Sequence, residues 1–254
     1  MSAYPSPISI IAITGIPEII PGDDLITIVA DALFKQDITI IKGDIIVFAQ
    51  KIISKAEGRI VKLSDVSPSS FAIKFASDWD KDPRMVEVVL CETKRIVKMG
   101  QGKLIAETKE GIICANAGID ASNVSGGDKV TLLPINPDES AKKLAEGFKE
   151  KLGVEVAVII TDTVGRPWRQ GLTEIAIGCW GMEPLKDYRG QSDLKGYKLS
   201  ATLLAVADEI AGAAGLVMGK NDSAPVVIVR GYPYEPGGTG AKELIRKPED
   251  DLFR

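Results

Sequence analysis

The sequence predicts an α+β fold, with mixed sheets, packed helices and no P-loop or Rossmann unit. Three observations carry that expectation. Short β-branched runs bounded by Gly and Pro read as strands, and longer segments with apolar residues at 3.6-residue spacing read as helices. The two kinds alternate without a regular βαβ rhythm. Neither GxxxxGK[ST] nor a GxGxxG after a strand occurs.

Along the chain, "ISIIAIT" (8–14) is a buried strand closed by Gly15 and Pro17. In "DDLITIVADALFK", Asp23 or Asp24 caps a helix whose Leu25, Ile28, Val29 and Ala32 share a face. "GDIIVFAQ" (43–50) is a second strand, and "ISKAEGR" (53–59) follows it as a charged turn. Residues 67–94 hold two helices divided at Asp82-Pro83, because proline disfavours helix at the residue before it. "KLIAET" and "GIICANAG" form a hairpin around Lys109-Glu110-Gly111, and "DKVTLLP" adds a strand. In "NPDESAKKLAEGFKEKLG", Asn136 caps, Pro137 takes the first position, Glu139 suits a capping box and Gly153 stops the helix. Ala141, Leu144, Ala145, Phe148 and Leu152 are its buried stripe. "VEVAVIITDT" (154–163) is apolar throughout and belongs inside a sheet covered on both faces. "EIAIGCWG" and "PVVIVRG" (225–231) complete the strands. We expect a single unit over 1–254, built as one body or two discontinuous lobes, without repeats or linkers.

Composition narrows the chemistry. The chain has 254 residues and no histidine, which excludes Ser-His-Asp and Cys-His catalysis and HExxH zinc sites. Any metal must then be held largely by oxygen, favouring Mg²⁺ or Mn²⁺. A net charge of −4 with scattered Lys and Arg argues against nucleic acid. Cys91, Cys114 and Cys179 form no CxxC pair and read as small buried apolar residues in a reducing compartment. "MSAYPSPIS" lacks signal-peptide character, and Asp208 and Glu209 interrupt the most apolar helix, so no membrane span and a cytoplasmic location are expected.

Several polar positions interrupt these apolar runs. Asp162 follows "VAVII", where a carboxylate is costly unless paired or metal-bound, although it can equally cap the "TVGR" turn. Thr163 adds a hydroxyl, and Arg166 a fork for phosphate or carboxylate. In "NAGIDASN", Asp120, Ser122 and Asn123 offer oxygen and amide groups, though an Asx-turn accounts for them too. "ISKAEGR" brings Lys55 beside a strand end, and "GGTG" (237–240) reads as a loop rather than a phosphate cradle. Acidic ligands, cationic phosphate partners and the lack of an imidazole base suit phosphoryl transfer.

Taken together, "ISKAEGR", "NAGIDASN", "ITDTVGRPWRQG", "ADEIAGAAGLVMGK" and "PVVIVRG", in this order from about Ile8 to Gly231, resemble the coenzyme F-420-0:L-glutamate ligases (gamma-glutamyl ligases). The resemblance implies a gamma-glutamyl-ligase-like fold and an intertwined homodimer. It implies GTP-dependent ligation of L-glutamate to the deazaflavin precursor F-420-0, followed by gamma-linked additions, with Mg²⁺ or Mn²⁺ (two ions) and K⁺. Position by position, Asp120, Asp162 and Thr163 match metal ligands. Ile16, Pro17, Glu18, Ile19, Gln50, Lys51, Lys55 and Asn123 match GTP contacts, as does the stretch Met218, Gly219, Lys220, Asn221 and Asp222. Lys55 and Arg166 are the candidate catalytic stabilisers of negative charge. At Lys220 the chain departs from members with an acid or amide there; an ammonium cannot ligate a cation and suits phosphate instead. No fused C-terminal oxidoreductase domain is expected. Two other functions fit the same residues: a nucleotide-dependent ligase for another carboxylate, and a non-catalytic nucleotide sensor.

Overall fold

The computed structural model describes residues 7–120, 127–219 and 224–252. β1 (Ser9–Ile13) precedes α1 (Leu25–Lys35), which starts where the Asp24 carboxylate accepts from the Ile26 and Thr27 N–H groups. β2 (Ile45–Ala49) runs directly into α2 (Gln50–Ala56), and β3 (Ile60–Lys62) follows. α3 (Ser70–Trp79) and α4 (Pro83–Glu92) divide at the expected proline, with Asp82 accepting from the Arg84 N–H. β4 (Thr93–Gly100), β5 (Lys103–Thr108), β6 (Ile113–Ala115) and β7 (Lys129–Thr131) come next. α5 (Pro137–Leu152) is capped by Asn136, which accepts from the Glu139 N–H, and ends at the left-handed Gly153. β8 (Ala157–Arg166) and β9 (Arg169–Trp180) form a long hairpin. The short strands β10 (Lys186–Asp187) and β11 (Leu203–Leu204) pair ahead of α6 (Val206–Met218) and β12 (Val226–Arg230).

The central sheet has the order β1-β12-β2-β8-β9. β2 and β8 are parallel, while the other pairs are antiparallel. Alternation along the strands builds two cores. Ile46, Phe48, Val158, Ile160 and Ile228 face α1 and α5, whose Val29, Leu144 and Phe148 cover them. Ile45, Val47, Ala157, Ile159 and Val227 face α6, whose Ala207, Ile210, Ala211 and Ala214 lie against them. A third core joins α3 and α4 to the small sheets β4-β5-β6 and β3-β7 through Phe75, Val89, Leu104, Ala106, Ile119 and Val130.

The α+β architecture agrees with the sequence expectation; several local expectations do not. "ISKAEGR" is not a solvated turn, because its first residues belong to α2, with Ile52, Ile53, Ser54 and Lys55 buried. Seven residues are too few for helical periodicity to register. The helix expected through Lys94 stops at Glu92, and Thr93 begins β4, its hydroxyl donating to the Val89 carbonyl. Leu152 lies at the exposed end of its stripe, and Cys91 is exposed on α4, whereas Cys114 and Cys179 are buried thiols. No helix among the described residues is long and apolar enough to cross a membrane.

Candidate functional site

The parallel pairing of β2 with β8 sets Ala49 opposite Thr161. The start of α2 therefore lies beside Asp162, past the carboxyl end of β2 but midway along β8, which continues to Arg166 instead of ending at Thr163 as expected. The "NAGID" segment supplies the facing wall. Asn116, Ala117 and Gly118 have φ of 52°, 52° and 70°, a left-handed run that is costly for side chains other than glycine. At Gly118 an added Cβ would lie 2.6 Å from Leu133 Cδ1, so this position has no space for a side chain. The chain then straightens, and Asp120 exchanges two main-chain hydrogen bonds with Thr131 of β7, at 3.1 and 2.9 Å. With its main chain clamped in this way, Asp120 directs its carboxylate at Lys51 on α2, forming an ion pair at 2.7 Å.

Asp162 is presented by an irregularity in the sheet. Ile160 pairs with Gly178 but Thr161 with Ala176, so Ile177 is an extra residue in β9. A bulge of this kind re-aims the adjoining side chains. Burial pushes the Asp162 carboxyl up to about 7; nearby Glu174 and Asp120 push the same way, while the Thr163 N–H and Lys51 oppose them. The neighbouring Cys114 thiol is pushed up to about 12, first by burial and then by Asp162. Acidic charge is thus concentrated where water is scarce, and Lys51 offsets only part of it.

The other expected residues divide by position. Lys55, one turn after Lys51, is buried and pairs with Glu18 at 2.6 Å, joining α2 to the Ile16–Ile19 segment. In that segment Ile19 is buried, Ile16 half-buried and Pro17 exposed. Gln50 is buried and accepts from the Ser54 hydroxyl at 2.8 Å. The Thr163 hydroxyl turns to Glu174 across the hairpin. Arg166 stands near the hairpin tip, about 13 Å along an extended strand from Asp162. Its guanidinium donates to the Gln170 carbonyl at 2.6 Å, so one chain does not bring it to the acidic pair. Met218 is buried in the α6 core and Gly219 ends that helix. Asn123, Lys220, Asn221 and Asp222 lie outside the described residues. "GGTG" is a loop, tied by Thr239 to Glu183 and by the Ala241 N–H to Asp138.

Sequence reasoning missed Glu174 and Thr161. Glu174 Oε2 lies 3.1 Å from the Thr161 hydroxyl, which is 2.8 Å from the Ile175 carbonyl, and its other oxygen accepts from Thr163. Both contacts depend on a cross-strand register that no local pattern encodes. Among the described residues, no group of three His, Cys, Asp or Glu side chains is placed to hold a metal by itself. Asp120 and Asp162 nonetheless fit a hard divalent cation: they are oxygen donors in a partly desolvated, acid-rich corner, with the remaining positions left to hydroxyl, main-chain or phosphate oxygens.

Comparison with known proteins places the chain. The family model of F420-0:Gamma-glutamyl ligase matches residues 14–231. The "Coenzyme F420:L-glutamate ligase" of Methanothermobacter thermautotrophicus is 45% identical over 250 residues, covering 97% of this chain and 99% of its own. The proteins of the same name from Methanopyrus kandleri and Methanocaldococcus jannaschii are 44% and 47% identical, covering 92% and 84% of this chain and 92% and 85% of their own. With the acidic pair and every strand of the central sheet except β1 inside the matched region, the chain belongs to the F420-0:gamma-glutamyl ligase family.

Proposed function

We propose that the chain is a coenzyme F420:L-glutamate ligase, joining the amino group of L-glutamate to the carboxylate of the deazaflavin precursor F-420-0 with GTP as co-substrate, and then adding gamma-linked glutamates. Its family and the names of its relatives support the ligation. The observation that carries the nucleotide part is the meeting of Asp120, Asp162 and Lys51 just past the carboxyl end of β2. That corner has the charge inventory of phosphoryl transfer and no imidazole.

Asp120 and Asp162, with Thr163, are the residues that hold Mg²⁺ or Mn²⁺ in this reading. Such an ion supplies neutralisation of phosphate charge, with K⁺ as an accessory cation. Lys51 and Lys55 lie one helical turn apart, each beside a carboxylate from which it can swing to phosphate oxygens. A carboxylate oxygen of F-420-0 attacks the γ-phosphorus of GTP; the bond to the GDP oxygen breaks and an acyl phosphate forms. The glutamate nitrogen then attacks the acyl carbon, phosphate leaves with the C–O electrons, and the amine proton passes to a carboxylate or water. Lys55 is placed to stabilise developing negative charge.

Arg166 enters this reading through a second copy. The hairpin that carries it leaves Trp168 81% and Leu172 68% exposed, and we assign it to the contact of a homodimer. Incubation with GTP, Mn²⁺, L-glutamate and F-420-0, followed by mass spectrometry, tests the function. A glutamyl mass increment that requires GTP is expected. GTP loss without that increment, or binding without turnover, contradicts it.

A further inference from the structure

We propose that Glu174 is a positioning residue of the cation site, holding the Thr163 hydroxyl so that its oxygen faces a divalent cation. The inference rests on the proposed role of Thr163 as a metal ligand, on the α6 face of the sheet and so at a different ion from the one assigned to Asp120 and Asp162 on the opposite face. Register brings the two side chains together, since Thr163 of β8 pairs with Glu174 of β9. One Glu174 oxygen accepts from the Thr163 hydroxyl, and the other lies 3.1 Å from that of Thr161. In this contact the Thr163 hydroxyl is the donor and the Glu174 oxygen the acceptor. A hydroxyl has one hydrogen, and in this pair it is committed to Glu174. The oxygen can then offer only lone pairs to any further group, as a ligand of a divalent cation must.

Glu174 is itself held from the opposite side. It lies beneath α6 at Gly215, where an added Cβ would come within 2.6 Å of the Glu174 Cγ. At Gly212, one turn earlier, an added Cβ would meet the Thr173 hydroxyl at 3.8 Å, an ordinary contact, so the close approach is confined to Gly215. Glycine at position 215 lets the helix approach β9 closely enough to wedge the glutamate against the two threonines. α6 ends at Met218, where the stretch 218–222 assigned to the nucleotide begins. Glu174 therefore connects the strand bearing Asp162 with the helix leading into that stretch. Its charge also adds to the acidic field at Asp162. Partners that orient metal ligands in this manner typically contribute about tenfold to a hundredfold in metal affinity.

The test measures Mn²⁺ affinity by electron paramagnetic resonance of the free ion, with and without a non-hydrolysable GTP analogue. Wild type, Glu174→Gln, Thr163→Val, the double variant and Asp162→Asn are compared, with circular dichroism reporting the fold. Glu174→Gln should weaken Mn²⁺ binding about tenfold, and saturating Mn²⁺ should restore most of its turnover. In the Thr163→Val background the same change should add less than about twofold, because the two residues act through one contact. Wild-type affinity in Glu174→Gln, or full additivity in the double variant, overturns the proposal while leaving the function standing, provided Asp162→Asn abolishes binding of its own ion. Undiminished Mn²⁺ binding in Asp162→Asn overturns the metal reading of the acidic pair, and in Thr163→Val it overturns this inference. Should Glu174→Gln misfold, Gly215→Ala carries the same test by displacing Glu174 from its wedge, and unchanged affinity there also counts against it.

Discussion

Lys51 and Asp120 meet at 2.7 Å across the corner where α2 faces the "NAGID" turn. The ammonium sits on the carboxylate assigned to the cation, so in the ligand-free protein it competes for that oxygen. Under the proposed function, binding of cation and nucleotide would exchange this partner: the cation would take the carboxylate and Lys51 would turn to phosphate. Lys51→Met should therefore tighten Mn²⁺ binding severalfold without nucleotide, since a half-buried ion pair contributes about 1 kcal/mol. The same variant should raise the apparent KM for GTP about tenfold, a loss of about 1.4 kcal/mol. Calorimetry with each ligand separates the two effects, and weakening of both contradicts the exchange.

The Asp162 carboxyl, raised from 3.8 to about 7, makes the cation-free protein sensitive to pH. Between those values the folded chain holds a proton that the unfolded chain releases. The stability from this group is complete below about 4 and is lost as pH rises through 7. Asp162→Asn carries no such charge, so its stability relative to wild type should increase between pH 5 and pH 8. After allowance for partial solvent access, the change is about 2 kcal/mol. Urea titrations without divalent cations measure it, and a pH-independent difference would mean that the Asp162 charge is not its source.

Gly118 holds the turn that aims Asp120. Gly118→Ala combines a left-handed φ of 70° with a Cβ driven into Leu133. Strain and overpacking together should cost about 2–4 kcal/mol. Any folded fraction should bind Mn²⁺ more weakly than wild type. Thermal unfolding and Mn²⁺ titration check the two consequences independently. Wild-type stability would mean that the turn tolerates a side chain.

Much of this framework is legible in the sequence because its causes are local. Asn136, Pro137 and Gly153 bound α5 by cap chemistry contained within the segment, and β8 betrays its burial by lacking polar residues on either face until Thr161 and Asp162. α2 is not legible, being short and followed by charges, with its buried face visible only once β2 is docked. Local chemistry left Asp120 and Asp162 each divided between cap and ligand. Their convergence follows from the clamp at Thr131 and the docking of β6 near β8, which are tertiary facts. The resemblance indicated both acids, but not the bulge that directs Asp162 or the cross-strand partnership of Thr163 with Glu174.

Trp168 and Leu172 project from the β8–β9 hairpin with most of their surface exposed. Under the homodimer assignment, their burial between copies drives association, at roughly 1.5–3 kcal/mol for each fully covered side chain. Trp168→Glu with Leu172→Glu should give monomers at micromolar concentration by light scattering, with unfolding of the chain itself little changed. A dimer that persists in the double variant removes this hairpin from the interface.

The most direct test of the central claim is the yield of glutamylated F-420-0 and GDP from Asp162→Asn and wild type at matched protein, GTP, Mn²⁺ and L-glutamate. Wild type should form one GDP for each glutamate added. Asp162→Asn should remain folded and lose at least about a thousandfold in rate, the scale set by removing a principal electrostatic element from a reaction centre. Near-normal, GTP-coupled glutamylation by Asp162→Asn would contradict the assignment of this acidic corner as the site of ligation.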